Sequence, residues 1–119
     1  MEDCDPIADL HINKLRIESC LKRGEECIKG SELRERARRR NGVLGVRDGQ
    51  QLLDHQDQIP MKMRKKKIVL TGTTLLAPNG FKYTASLCWY GGDNRWDFDF
   101  TFANGLWVGY ECLPCREQA

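Results

Sequence analysis

The chain has 119 residues and a mass of 13.7 kDa, the size of one domain, and this leaves no room for two substantial cores. Its 19 basic and 17 acidic side chains leave a net charge of only +2, which excludes a field of one sign over the whole molecule. No apolar run approaches the roughly 20 residues that cross a bilayer, and the acidic N-terminus lacks the basic and apolar regions of a secretory signal. We therefore expect a cytoplasmic protein with no membrane association, whose six cysteines are thiols or metal ligands rather than disulfides.

Aromatic residues are confined to one part of the chain. All ten lie between Phe81 and Tyr110, and the first 80 residues contain none. Such segregation predicts one α+β domain built from two regions with different packing chemistry. The predicted parts are a mainly helical region, a basic connector, a β-meander and a short tail, at residues 1–60, 61–67, 68–115 and 116–119.

The first predicted element is an amphipathic helix from Pro6 to about Lys29. Asp5 is a suitable N-cap, and proline is tolerated at the first helical position. The apolar residues follow a helical repeat at Ile7, Leu10, Ile17, Leu21 and Ile28. Gly24 weakens the middle of this helix. We expect the helix to cover the apolar face of the sheet.

Two shorter helices are predicted next. Ser31 is the expected cap of the segment ELRERARRR, which Asn41-Gly42 should close. The third helix is expected from Asp48 through Gln58, because Pro60 then stops it.

Beyond the basic run MKMRKKK the apolar period changes from 3.6 to 2, which predicts four antiparallel strands in meander order. In the third strand Trp96, Phe98, Phe100 and Phe102 alternate with polar residues, so we expect all four rings to form the buried face. The connections PNG, GGDN and ANG favour tight turns. The strands are expected at Lys67–Leu76, Phe81–Tyr90, Arg95–Phe102 and Leu106–Leu113.

Cys112 and Cys115 form the sequence's most suggestive chemical motif. Two thiolates at this spacing can supply half of a zinc site. A redox pair is disfavoured, because only four residues follow and no helix can lower the thiol pKa. The alternative is that both are small buried thiols, with no cofactor in the protein.

Two basic segments are the candidate nucleic-acid interface. If folding placed them together, they would form a patch able to neutralise several phosphates. The alternative is that the arginines complement a helix C-terminus and the lysines protect an edge strand. The candidate residues are Arg34, Arg38, Arg39, Arg40, Lys62, Arg64, Lys65, Lys66 and Lys67.

No catalytic constellation or phosphate-binding glycine loop is present in the sequence, so we expect no enzyme. The leading hypothesis is a small protein-binding module that uses surface aromatics, with Trp89, Tyr90 and Trp107 as candidate contacts. Its size and mixed surface are typical of phage or mobile-element inhibitors that regulate a nucleic-acid-handling machine in the host cytoplasm. The alternatives are direct DNA or RNA binding and a zinc-stabilised interaction domain. An exposed edge strand is also compatible with a homodimer.

Overall fold

A computed structural model describes residues 2–7, 10–109 and 111–116. Their fold is α+β, as predicted, with two α-helices and a mostly antiparallel sheet. The helices are α1 (Gly30–Arg39) and α2 (Val46–Asp54), and 3-10 turns cover Ile12–Lys14, Gln56–Gln58 and Met61–Lys65. The strands are β1 (Glu2–Asp3), β2 (Arg16–Ser19), β3 (Ile28–Lys29), β4 (Lys67–Leu76), β5 (Lys82–Tyr90), β6 (Arg95–Phe102), β7 (Leu106–Trp107) and β8 (Glu111–Cys115).

The main sheet is mixed, and its strand order is β2-β8-β4-β5-β6. Strands β4 and β8 run parallel, whereas the other pairs are antiparallel. The short β1 also pairs with β4, at Thr73 and Thr74. The prediction of a four-stranded meander is therefore wrong.

The last predicted strand, Leu106–Leu113, is the reason the meander fails. The two preceding hairpins form as predicted, and their turns use left-handed residues, Gly80 at φ 85° and Asn94 at φ 54°. The last strand instead divides. Its first part, β7, pairs with β3 in a separate two-stranded sheet. Its second part continues as β8, which lies between β2 and β4.

The N-terminal helix predicted from Pro6 to Lys29 is also wrong. Its described residues form a 3-10 turn, the strands β2 and β3, and a connecting loop in which Gly24 has φ 88°. β2 pairs along its full length with β8, so long-range hydrogen bonds override the local helical pattern. Ala8, Asp9 and the predicted tail after Arg116 lie outside the described residues.

The second predicted helix forms as α1, and Asn41-Gly42 closes it. Asn41 adopts the left-handed conformation at φ 56°. The Gly42 N–H donates to the Ala37 carbonyl at 2.7 Å, and the Asn41 N–H donates to the Arg38 carbonyl at 3.4 Å. These are the two hydrogen bonds of a Schellman motif, and they end the helix where the sequence predicts.

The third predicted helix forms as α2 but begins earlier and ends sooner than expected. Asp48, expected at its start, is its third residue and is fully buried. Its carboxylate accepts hydrogen bonds from the N–H groups of Gly45, at 3.0 Å, and Ile7, at 2.8 Å. One buried carboxylate therefore joins the start of α2 to the N-terminal segment.

The sheet is covered on both faces. On the first, which we call the α2 face, the core consists of buried residues from the sheet, α2 and the N-terminal segment: Ile12, Leu44, Leu52, Ile59, Ile68, Leu70, Ala85, Leu87 and Trp96. On the second, the α1 face, the core residues are Cys20, Ile28, Leu33, Ala37, Val69, Trp107, Leu113 and Cys115. The predicted single helical cover is thus replaced by two short helices, one on each face.

A bulge in β4 attaches the N-terminal segment and the loop before α2 to the sheet. The register with β5 shifts between Leu70 and Thr74. At the bulge the Gly72 carbonyl accepts the Cys4 N–H at 2.8 Å, and the Gly72 N–H donates to the Leu44 carbonyl at 2.9 Å. A Cβ at Gly72 would clash with the Cys4 sulfur and lie 3.0 Å from the Leu44 main chain, so only glycine permits this close approach.

Arg36 links α1 to the loop between β2 and β3. Its guanidinium donates to both carboxylate oxygens of Glu25, at 2.6 and 2.7 Å, to Glu32 at 2.9 Å and to the Cys20 carbonyl at 2.9 Å. The side chain is only 5% exposed. Hydrogen bonds from Arg36 and from the Lys22 N–H lower the pKa of Glu25 from 4.5 to about 2.

We predict that Asp48→Ala lowers the free energy of unfolding by about 2–4 kcal/mol, because two buried N–H groups lose their acceptor. Urea unfolding measures this loss. The matched control is Asp54→Ala, an exposed carboxylate on the same helix, which should change stability by less than about 0.5 kcal/mol. Equal losses in both variants would contradict the role assigned to Asp48.

We also predict that Glu25 makes stability depend on acid pH. Because its pKa is lower in the folded protein, its stabilising contribution is complete above pH 4.5 and is lost as the pH falls toward 2. Glu25→Gln should therefore flatten the dependence of the unfolding midpoint on pH in this range, whereas Glu26→Gln, at the exposed neighbouring position, should not. An unchanged profile in Glu25→Gln would show that the ion pair does not form.

Candidate partner-binding surface

An exposed apolar region lies at one end of the α2 face, where β4, β5 and β6 meet the connection between β4 and β5. We call it the aromatic surface. Four of its residues are well exposed: Leu76 at 60%, Phe81 at 56%, Phe102 at 52% and Phe100 at 48%. The half-buried Leu75 and Tyr83 complete it.

The rings of the aromatic surface are in mutual contact. Phe102 stacks on Tyr83 with 5.0 Å between ring centroids, and its other neighbour, Phe81, meets it edge-on at 5.5 Å. Beside them lies an open groove of about 310 Å³, which is lined by Leu75, Leu76, Ala77, Tyr83 and Phe100. The surface therefore combines rigid rings with a concave apolar depression, the combination that a protruding apolar side chain requires.

Coverage by α2 ends part-way along β6, and this leaves the rings exposed. Helix α2 packs on the sheet through Gly49, where a Cβ would lie 2.6 Å from Leu70 and 3.1 Å from the Phe98 ring. Trp96 is 1% exposed and Phe98 is half-buried, but Phe100 and Phe102 lie beyond the cover. The prediction that all four alternating rings form the buried face is wrong for the last two.

β6 is the last strand of the sheet, yet its free edge is largely occupied by side chains. The Gln56 amide makes two hydrogen bonds with the main chain of Trp96, accepting from its N–H at 2.8 Å and donating to its carbonyl at 3.0 Å. The Phe98 N–H donates to the Asp97 carboxylate at 2.8 Å, and the Tyr90 hydroxyl donates to the Phe98 carbonyl at 3.2 Å. These contacts compete with any added strand for the same backbone groups.

Asp99 continues this pattern. The Phe100 N–H hydrogen-bonds its carboxylate, and the Lys67 ammonium lies 2.7 Å from it. Burial raises the pKa of Asp99, but the two hydrogen bonds lower it further than burial raises it, so the net pKa lies below the ordinary value. The carboxylate therefore stays ionised at neutral pH, and it occupies the Phe100 N–H that an added strand would need. The part of the sheet that a partner can contact here is therefore its face and not its edge.

The arginines of the first basic segment are engaged within the molecule. Arg34 donates to the Ala103 carbonyl at 3.0 Å, and Arg40 donates to the Ser19 carbonyl at 2.9 Å. Arg38 pairs with Glu35, and Arg39 lies 3.2 Å from Glu32 and 3.5 Å from Glu35. Arg38 and Arg39 are thus paired with glutamates of the same helix, whereas Arg34 and Arg40 are held mainly by main-chain carbonyls outside it.

The second basic segment lies on a different part of the molecule. Met63 packs against the core of the α2 face, whereas α1 packs on the opposite face, so the two segments do not form one patch. Lys67, a candidate nucleic-acid contact, is only 11% exposed and is paired with Asp99. Arg64 lies over the Trp89 ring at 3.8 Å. Lys62, Lys65 and Lys66 are the remaining cations of this segment.

The predicted aromatic contacts fall into different environments. Trp107 is fully buried in the core of the α1 face, so its prediction as a surface contact is wrong. Trp89 is half-buried against Trp96, with ring centroids 6.1 Å apart. Tyr90 is 39% exposed and lies at the β6 edge.

Cys112 and Cys115 do not converge on one point. They lie three residues apart on β8, so their side chains leave opposite faces of the strand. Burial raises the pKa of the Cys112 thiol, and burial with the adjacent Glu18 carboxylate raises that of Cys115 to about 11. Both effects disfavour the thiolates that bind zinc. Within residues 2–7, 10–109 and 111–116, no group of three His, Cys, Asp or Glu side chains could hold a metal ion.

The sequence contains one signal that could have located the aromatic surface. Alternation in β6 continues over eight residues. Phe81 precedes the neighbouring strand and Tyr83 lies near its start, paired with Phe102. A short helix covers only part of strands this long, at 1.5 Å per helical residue. The rings furthest from that helix were therefore the ones to expect at the surface.

A scan of protein-family models and searches of curated proteins and solved structures found no match for this chain. In the part of the chain that the structure describes, no helix has the length and apolar character needed to cross a membrane.

The two ends of β6 should differ sharply in their effect on stability. We predict that Trp96→Ala costs about 3–5 kcal/mol, because a fully buried ring leaves a cavity. Phe102→Ala should cost at most about 1 kcal/mol, because this ring is already half in water. Chemical denaturation of both variants measures the difference, and equal losses would show that Phe102 belongs to the core.

Proposed function

We propose that this protein is a non-catalytic protein-binding module, which binds an apolar segment of a partner protein on the aromatic surface. The observation that carries the proposal is the exposed contact between Phe102, Phe81 and Tyr83 beside an apolar groove. Adjacent exposed rings of this kind are unfavourable in water unless a partner covers them.

The chemistry of this surface suits a binding hot spot. Aromatic side chains contribute a large contact area at a low cost in conformational entropy, and they dominate measured interface energies. The groove beside them can accept one bulky side chain of the partner. Because the β6 edge is occupied by Gln56, Asp97 and Tyr90, we expect docking onto the face of the sheet and not addition of a strand.

Charge favours this function over direct nucleic-acid binding. The arginines of α1 are held by Glu32, Glu35 and main-chain carbonyls, and the second basic segment lies on the opposite face. We therefore propose that the partner protein, and not this chain, binds nucleic acid. A module of this kind would act by occupying its partner's surface in the cytoplasm, as a small inhibitor or regulator does.

Selection of random peptides displayed on phage tests the proposal, because it samples apolar segments of many different sequences. Peptides enriched on the wild-type protein should carry at least two bulky apolar residues. They should lose at least tenfold in affinity for Phe100→Ser/Phe102→Ser when measured by fluorescence polarisation. A circular dichroism melt confirms that the variant is folded.

The matched control is Met61→Ser, which removes an equally exposed apolar side chain, 71% accessible, outside the aromatic surface. It should leave peptide affinity unchanged. Peptides that bind the double variant as well as the wild type would refute the proposal. So would sedimentation of the wild type as a dimer that the double variant converts to monomer, because the surface would then join two copies of this chain.

A further inference from the structure

A second hollow lies on the α2 face, beside β2. Its volume is about 350 Å³, and it shares no lining residue with the groove of the aromatic surface. Its deep walls are aliphatic and almost fully buried: Ile12, Leu52, Ile59 and Ile68. Leu15, Ile17 and Met63 line it nearer the surface and are half-buried.

The rim of this hollow is cationic. Lys62 and Arg16 contribute to its lining, and both are exposed. Among the described residues Lys62 has no ion-pair partner. The Arg16 guanidinium lies 3.6 Å from the Glu18 carboxylate, a loose contact. The rim therefore carries net positive charge directly beside an apolar interior.

The size of the hollow sets the length of chain that it can hold. A water molecule occupies about 30 Å³ in the liquid and a methylene group is of similar size, so about 350 Å³ holds on the order of ten methylenes. A deep aliphatic wall with a cation at the mouth matches a ligand that has an apolar tail and an anionic head.

We propose that this hollow binds a free medium-chain fatty acid, with the alkyl chain against Leu52 and Ile68 and the carboxylate at Lys62 and Arg16. The inference is independent of the proposed partner binding, because the two sites have no residue in common. It assigns a role to Lys62, which the fold itself does not use.

Isothermal titration calorimetry with sodium decanoate, below its micelle concentration, tests the proposal on the full chain. We expect saturable binding of one decanoate. Octanoate should bind about fifteenfold more weakly, because each methylene contributes about fourfold in affinity. Decyltrimethylammonium, which has the same chain and the opposite charge, should bind at least tenfold more weakly than decanoate.

Two lysines on the same 3-10 turn provide a matched pair of variants. Lys62→Glu should weaken decanoate binding at least tenfold, whereas Lys65→Glu, which changes the net charge equally but does not line the hollow, should change it less than twofold. Phe102→Ser should bind decanoate as the wild type does. This last variant also separates the two proposals, since Phe102 belongs to the aromatic surface and does not line the hollow.

The proposal is overturned by an absence of saturable heat with decanoate, or by equal losses in Lys62→Glu and Lys65→Glu. Equal binding of the cationic amphiphile would show that the rim charges do not select the ligand. Loss of decanoate binding in Phe102→Ser would place the amphiphile on the aromatic surface and would likewise overturn the proposal.

Discussion

The bulge in β4 is the constraint on which the rest of the structure depends. β4 is the strand that pairs with β1, β5 and β8, and at Gly72 its backbone also holds Cys4 and Leu44. Thr73, fully buried, accepts the Val46 N–H at 2.9 Å and donates to Asp3. These bonds fix the N-terminal segment and the first turn of α2 on one face of the sheet. The start of the N-terminal segment and the start of α2 are therefore positioned from this point.

The limited reach of that cover creates the candidate binding surface. Helix α2 has nine residues and meets the sheet at Leu70 and Phe98, so the far end of β6 remains open. The free edge of the same strand is occupied by its own side chains. A sheet with an occupied edge and an open aromatic face resists pairing with other copies, yet it can still dock a partner through side-chain contacts. The exposed Phe102 ring thus offers a contact on the face of β6, while the hydrogen bonds of Gln56 block strand pairing at its edge.

Much of the positive charge has internal partners. Arg36 binds Glu25 in the loop between β2 and β3, and the largely buried Lys67 forms an ion pair with Asp99. The two basic runs do not combine into one patch, because they lie on opposite faces of the sheet. Lys62 is different, because its charge lies at the mouth of an apolar hollow. Stability accounts for the paired cations, and the proposed recognition of an anion accounts for Lys62.

Local patterns in the sequence determined the α+β class and helix α1 with its Asn41-Gly42 end. They also determined the bounds of strands β4 and β6 to the residue. Turn chemistry and alternation could do this because they act over a few neighbouring residues. They could not determine the N-terminal segment, where the helical spacing of Leu10 and Ile17 fits equally well an irregular segment whose apolar residues pack on a sheet. Nor could they show that Leu106–Leu113 divides between two sheets or that Phe100 and Phe102 stay in water. Those outcomes depend on which distant strand supplies hydrogen bonds and on how far a nine-residue helix reaches, and both are properties of the assembled chain alone.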